Sequence, residues 1–303
     1  MILEEVLELR QLKNFYTVAK AGNLTQAAIE LNISQPALSI SIKKLEEELG
    51  IKLFRRDTYR ITLSDEGHRI LPLAEKVLLS IHEIESTSKD IKSGSSELKI
   101  RAEAAQPLVV DAISLFKQKY PETAIRMIHE EECFDRPDII IEASTSINES
   151  EYFQSTNEMI VFKEDLLVAI PRILNPVAES PVTLDYILDN ELIGLSKKYA
   201  LGNIEEYYCS RFNLNLRHSI ICDNPSILLN LLMNGSGIAF VPSVSWLFKD
   251  NPAIKLVPFE IPGWSRYIKI HATEYRASND AKFKFMEVMN SRIERLLGPH
   301  PWY

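Results

Sequence analysis

Apolar positions recur at helical spacing through the first ninety residues, then give way to short apolar runs alternating with amphipathic stretches. Over residues 9–21, Leu12, Phe15, Val18 and Ala19 fall on one helical face. Gly22 stops that helix, since glycine tolerates the left-handed backbone a helix end often adopts. Asn23 caps a second helix, with Gln26 three residues on and able to complete a capping box. Ala27, Ala28 and Leu31 give this helix a small-residue face that lets another helix approach closely. Asn32 and Ile33 form a turn. Ser34 then caps a third helix whose first turn carries Pro36, where the missing N–H costs little. Leu38, Ile42, Leu45 and Leu49 form its buried stripe, leaving Gln35, Ser39, Ile40 and Lys43 largely on other faces. Two short helices meeting at a tight turn, followed by a basic hairpin, can set a helix into the major groove of DNA.

From residue 64 to 92 the pattern is that of one long helix, capped by Ser64, with Asp65 and Glu66 suited to its positive N-terminal end. Pro72 predicts a kink or short break near residues 69–71. Ile70, Ala74, Val77, Ile81, Ile84, Ser88 and Ile91 alternate at spacings of four and three, a heptad seam that predicts pairing with a second helix. The alternative is a helix packed on its own C-terminal body. Residues 93–96, Ser-Gly-Ser-Ser, read as a hinge.

Beyond residue 97, strand candidates at 98–102, 124–129, 138–143, 166–170, 192–195, 238–241 and 269–273 alternate with helix candidates at 107–120, 226–233 and 281–297. This order predicts an α/β fold with a largely parallel sheet.

The string Ser34-Gln35-Pro36-Ala37-Leu38-Ser39, with Leu45-Glu46-Glu47-Glu48-Leu49-Gly50 and Leu53-Phe54, resembles the LysR-type transcriptional regulators over residues 9–67. The C-terminal layout, marked by Asn234-Gly235-Ser236-Gly237-Ile238-Ala239-Phe240-Val241-Pro242, resembles that family's effector domain. The resemblance implies an N-terminal all-α winged helix-turn-helix (1–66), a long linker dimerisation helix and hinge (67–96), and a C-terminal α/β two-lobe domain like the periplasmic binding proteins (97–303). Lobe I is expected at 97–165 plus 270–303 and lobe II at 166–269, with crossings near 163–165 and 267–270. The resemblance carries DNA contact onto Gln35, Pro36, Ser39 and Arg56, with Arg55 and Arg60 as further phosphate partners. Lys43 lies on the same exposed side of the third helix. Ile40 stands where the family usually has a polar or basic residue; isoleucine cannot hydrogen-bond a base edge but can touch a thymine methyl.

The family's ligand site lies between the lobes, where strand ends and helix N-termini favour anions. The matching positions are Ala104, Ala105 and Gln106, then Ser196 and Lys197, then Asp223, Asn224 and Ser226. Relatives often place Ser or Thr near the first of these, so the Ala104-Ala105 pair weakens the case for an acid held there. The segment 130–137 is too short for the crossover helix that relatives carry, which predicts a trimmed lobe I.

Residues 10–60 carry nine Lys or Arg against five Asp or Glu, while the whole chain stands at −8. Local basic charge on an acidic body still suits DNA, and the body repels non-specific DNA. A hydrophobic content of 46 % with no apolar run of about 18 residues excludes a membrane span. The acidic N-terminus does not read as a secretory signal. Cys133, Cys209 and Cys222 lack metal spacing and fit inert thiols in a reducing cytoplasm. No Ser-His-Asp order, phosphate loop or metal cluster points to an enzyme or a cofactor, and His129, His218 and His271 are scattered.

The reading is therefore a cytoplasmic DNA-binding transcriptional regulator, paired as a homodimer through the linker helix and assembling further to a homotetramer, controlled by a small-molecule effector. The alternatives are a regulator whose C-terminal domain serves only assembly, and a small-molecule binding protein without gene control.

Overall fold

A computed structural model describes residues 7–56, 61–93, 97–128, 136–147, 158–175, 180–248, 251–276 and 279–298. Residues up to Lys92 form one compact unit, and the body from Ser93 onward forms another.

The N-terminal unit contains α1 (Leu9–Ala21), α2 (Leu24–Glu30), α3 (Gln35–Leu49), the hairpin β1 (Phe54–Arg56) and β2 (Ile61–Leu63), and the long α4 (Asp65–Ser93). The end signals act as their chemistry dictates. Gly22 ends α1 with φ +60°. The Asn23 side chain accepts from the N–H groups of Thr25 and Gln26. Ser34 Oγ accepts from Ala37 N at 3.3 Å. Phe15, Leu38 and Leu45 are fully buried and Ile42 nearly so, each stabilising the unit by roughly 1.5–3 kcal/mol. One side of α1 departs from the apolar pattern. Gln11 and Asn14 are buried too, because each finds a partner on α3: Gln11 Nε2 donates to Glu48 Oε1 at 3.0 Å and Asn14 Nδ2 to Ser41 Oγ at 2.7 Å.

The helix α4 runs unbroken through Pro72, so the expected break at 69–71 does not occur. The proline removes one helical N–H while the rest of the ladder continues. Its first turns are held by the N-terminal core: Ala74 and Leu78 are buried there, Ile70 packs against it, and Tyr16 Oη donates to Glu75 Oε1 at 3.3 Å. Ala74 therefore belongs to this core and not to the expected seam. The face left open carries Leu73, Val77, Ile84 and Ile91, exposed at 60, 41, 69 and 77 %. The expected hinge residues 94–96 lie outside the described residues, as do segment 130–135, His129 and Cys133.

The body contains β3 (Glu97–Ala102), α5 (Gln106–Lys119), β4 (Ala124–Met127), β5 (Ile139–Ser144), β6 (Met159–Pro171), α6 (Leu184–Leu188), β7 (Ile193–Leu195), α7 (Ala200–Arg211), β8 (Ile220–Cys222), α8 (Pro225–Met233), β9 (Ala239–Pro242), β10 (Ile254–Val257), β11 (Ser265–Ala272) and α9 (Asp280–Leu297). The main sheet runs β10-β6-β11-β5-β3-β4, with β9 also on β6. It is mixed rather than largely parallel. β3 pairs parallel with β4 and β5, whereas β11 is antiparallel to both β5 and β6. β6 is likewise antiparallel to β9 and β10.

The long strand β6 joins the two halves of this sheet. Its first half pairs with β11, while its second half pairs with β9 and β10. The same strand feeds two cores, which identify two lobes. Ile160 and Phe162 join Leu98, Ile141, Phe116 and Phe285 in the first. Leu166, Val168 and Ile170 join Leu228, Phe240 and Trp246 in the second. Trp264 belongs to the second core, and Ile268 and Ile270 of β11 to the first. The return crossing thus falls between 264 and 268, slightly ahead of the expected 267–270. Where the two strands change lobe, Glu164 and Arg266 sit opposite each other in register.

Candidate DNA interface and ligand cleft

On α3, Gln35, Pro36, Ile40 and Lys43 are exposed and Ser39 is half-buried. Positions 36, 39, 40 and 43 form one strip along the helix. Ile40 is 68 % exposed, which nothing in the packing of this unit requires. Lys43 lies 3.4 Å from Glu47 one turn on, an exposed pair that water screens.

In the hairpin, Arg55 pairs with Thr62 and the Arg56 backbone with Ile61. The Arg55 guanidinium is not free. Its Nη2 lies 2.6 Å from Asp65 Oδ2 at the start of α4. Arg60 lies outside the described residues.

The hairpin is tied to both neighbouring helices through residues that the apolar pattern did not single out. Glu46, only 5 % exposed, accepts at Oε1 from Leu53 N at 2.9 Å and Phe54 N at 3.2 Å, and at Oε2 from Lys52 Nζ at 2.8 Å. Burial pushes this carboxyl up, but the bonds from Lys52 and the two N–H groups prevail and hold it below its ordinary value. Its position four residues after Ile42, on the buried side of α3, was the available signal. From the other side, Ser64 N donates to Leu53 O at 2.9 Å. Ser64 Oγ donates to Lys52 O at 2.5 Å and accepts from Gly67 N at 2.8 Å. A Cβ on Gly67 would stand 2.1 Å from Leu53 O, so only glycine fits.

In the body, a cleft of about 820 Å³ is lined from the first lobe by Arg101, Glu103, Gln106, Ser144 and Thr145, and from the second by Lys198, Tyr199, Asn203, Tyr207, Asn224 and Ser226, among others. Three helices begin at it: α5 at Gln106, α7 at Ala200 and α8 at Pro225. Asn224 caps α8, accepting from Ser226 N at 2.8 Å. Tyr199 Oη donates to Asp223 O at 2.6 Å. Arg101 Nε lies 3.2 Å from Glu103 Oε1. Lys198 is exposed at the rim.

Gln106, Asn224 and Ser226 thus stand where the sequence put them. Ala104 and Ala105 do not. They are buried in the first core, at 3 and 1 % exposure, and Ala105 takes the left-handed turn ahead of α5. Ser196 and Lys197 do not line the cleft either. Ser196 N donates to Cys222 O, and Lys197 pairs with Glu206. Lys198 and Tyr199 take their place, one and two residues further along.

Away from the cleft, His218 Nε2 lies 2.6 Å from Glu205 Oε1. The hydrogen bond to Glu205 raises the His218 pKa above its ordinary 6.5 against the opposing effect of burial. Cys209 is pushed up to about 11 by burial and then by Glu205 and Glu206, and Cys222 is raised by burial and then by Asp223. Thiols so raised stay protonated and unreactive. Among the described residues no group of three or more His, Cys, Asp or Glu could hold a metal ion, and no helix is long and apolar enough to cross a membrane.

Residues 9–68 match the family model for the bacterial regulatory helix-turn-helix protein, lysR family, and residues 92–282 match the LysR substrate binding domain. The HTH-type transcriptional regulator BudR of Raoultella terrigena is 30% identical over 246 residues, covering 78% of this chain and 84% of BudR. The HTH-type transcriptional regulator YoaU of Bacillus subtilis (strain 168) is 26% identical over 297 residues, covering 95% of this chain and 99% of YoaU. Among solved structures, the LysR family transcriptional regulator CbnR aligns over 95% of this chain and 99% of its own, at 19% identity and a TM-score of 0.54. Full-length CbnR complexed with its target DNA aligns over 94% and 100%, at 20% identity and a TM-score of 0.55. At these identities the solved structures establish a shared fold.

Proposed function

The chain belongs to the LysR family of DNA-binding transcriptional regulators, and on that premise we propose which residues read DNA and what its cleft holds. Residues 1–66 form the DNA-binding domain, 67–96 the linker, and 97–303 the effector domain. The strip Gln35, Pro36, Ser39, Ile40 and Lys43 enters the major groove, and Arg55, Arg56 and Arg60 hold phosphate in the wing. The exposure of Ile40 carries this reading. A large aliphatic side chain left in water beside polar neighbours gains by meeting a thymine methyl, whereas an arginine there would seek guanine. Binding-site selection from a random duplex library tests it. Wild type selects a site with thymine at one fixed position, and Ile40→Arg changes that base. Unchanged affinity and unchanged preference would show that residue 40 does not face the groove.

Two copies pair through the open face of α4, and further assembly gives a tetramer. Such pairing presents two recognition helices to spaced half-sites. The cleft takes a small molecule carrying an acid group. Support comes from the start of α7, where no side chain caps the first N–H groups and an anion is favoured, and from Lys198 beside it. The rim of tyrosines and amides suits the rest of such a ligand. The protein acts by this binding rather than by catalysis, and in the cytoplasm. A ligand controls the regulator only if it binds one arrangement of subunits more tightly than another. A thermal-shift screen of mono- and dicarboxylates tests the class. At least one raises the melting temperature of wild type but not of Lys198→Ala. Silence across the acids would favour a body that serves assembly alone, and equal shifts in both proteins would show that Lys198 does not hold the acid.

A further inference from the structure

The segment 52–54, which opens the wing, is gripped from two sides. Glu46, from within α3, takes the N–H groups of Leu53 and Phe54 and the Lys52 ammonium. Ser64, at the head of α4, takes the carbonyl of Lys52 with its hydroxyl and that of Leu53 with its N–H. Gly67 closes against the same Leu53 carbonyl. Four neighbouring backbone groups that a hairpin would ordinarily leave to water are thus satisfied by groups fixed to two different helices. The Glu46 carboxylate is buried and accepts three hydrogen bonds, two of them from main-chain N–H groups that cannot move unless β1 moves with them. Charge-assisted bonds of this kind are shorter and stronger than neutral ones.

We propose that Glu46 is a positioning residue for DNA binding, which locks the wing to the recognition helix α3 and, through the shared segment 52–54, to the head of the linker helix α4. It touches no DNA. It sets the distance between the side chains that read bases and the arginines that hold phosphate, so that both engage one duplex at once. Because the head of α4 is fastened to Lys52 and Leu53 of the same segment, the wing also keeps its place relative to the helix that joins two copies. This inference rests on the proposed phosphate contact by the wing.

The test measures affinity for a fluorescein-labelled duplex, selected from a random library by wild type, as a function of salt. Each phosphate contact contributes roughly 0.9 to the slope of log K against log salt. The variants are Glu46→Ala, Glu46→Gln and Arg56→Ala in the full chain, each at a temperature where circular dichroism reports it folded. Glu46→Ala is expected to bind roughly tenfold more weakly, with a slope shallower by about one contact or more. Glu46→Gln keeps an oxygen for the two N–H groups and is expected to restore most of the slope. A merely stabilising residue would lower the melting temperature and leave the slope of the folded protein unchanged. A wild-type slope in folded Glu46→Ala, with a shallower one in Arg56→Ala, would overturn the role of Glu46 and leave the wing contact standing. A wild-type slope in Arg56→Ala would overturn both. Should Glu46→Ala fail to fold, Ser64→Ala loosens the same segment from the α4 side. It is then expected to flatten the slope, and an unchanged slope there overturns the proposal.

Discussion

Arg266 Nε lies 2.8 Å from Glu164 Oε1, the two residues facing each other on β11 and β6 at the point where both strands pass from one lobe to the other. Both are 2 % exposed. Glu164 also accepts from the N–H groups of Val244 and Ser245 and from Ser245 Oγ, and Arg266 Nη2 donates to Ser245 Oγ. The Ser245 carbonyl in turn accepts from Leu108 N at the head of α5. Every partner is present, so the pair is tolerated where an isolated charge would not be. Removing one side alone is costly. Glu164→Gln is expected to destabilise the body by about 3–5 kcal/mol, and a paired replacement by apolar residues to recover much of that loss. Urea unfolding followed by tryptophan fluorescence reads this, since Trp246 and Trp264 both lie in the second core.

The wing predicts a gain of function. Asp65 holds Arg55 at 2.6 Å in an exposed ion pair, and a phosphate must compete for the same guanidinium. Asp65→Asn releases it. Affinity for random-sequence duplex should rise a few-fold, and the salt slope should steepen by up to about 0.9, one phosphate contact. Unchanged binding would mean that Arg55 meets no phosphate.

His218 should make the stability of the body depend on pH. The Glu205 hydrogen bond raises its pKa in the folded state. Such a group stabilises the fold fully below its unfolded pKa, and that contribution is lost as pH rises through the folded value. The loss therefore begins above the ordinary 6.5. Thermal melts of wild type and His218→Gln, compared from pH 6 to pH 9, should converge as pH rises. A constant difference would show that the imidazole is uncharged throughout.

The open face of α4 predicts assembly. Ile84 is 69 % exposed and lies seven residues from both Val77 and Ile91, the repeat of a paired helix. Ile84→Lys should weaken the dimer without unfolding the monomer, because no described contact of the N-terminal core uses that side chain. Sedimentation equilibrium measures the shift. A monomeric wild type at micromolar concentration would contradict the pairing.

Local signals in the sequence were readable because their chemistry is local. Gly22, Asn23 and Ser34 mark helix ends whichever residues lie across from them, and Leu38, Ile42 and Leu45 share a face by spacing alone. The buried polar residues were not readable in that way. Gln11, Asn14 and Glu46 resemble surface residues until their partners on α3 and at 52–54 are known. Only the second half of β6 reads as a strand in the sequence, because Lys163, Glu164 and Asp165 interrupt the apolar run just where the strand changes core. Ala104 and Ala105 looked like cleft residues because they precede a helix, but the left-handed turn at Ala105 leaves both in the core and gives the cleft to Glu103 and Gln106. On α4, Pro72 suggested a break that the surrounding helical ladder and the anchors at Ala74 and Glu75 override.

The proposed reading of a specific duplex by α3 and its wing requires that cognate DNA bind more tightly than random DNA. It is tested most directly by fluorescence anisotropy with two labelled duplexes, one recovered by selection and one of random sequence, in the same salt. The selected site should contain two half-sites and bind at least about 10³-fold more tightly than random DNA. Equal binding to both duplexes, or none to either at low salt, would contradict it.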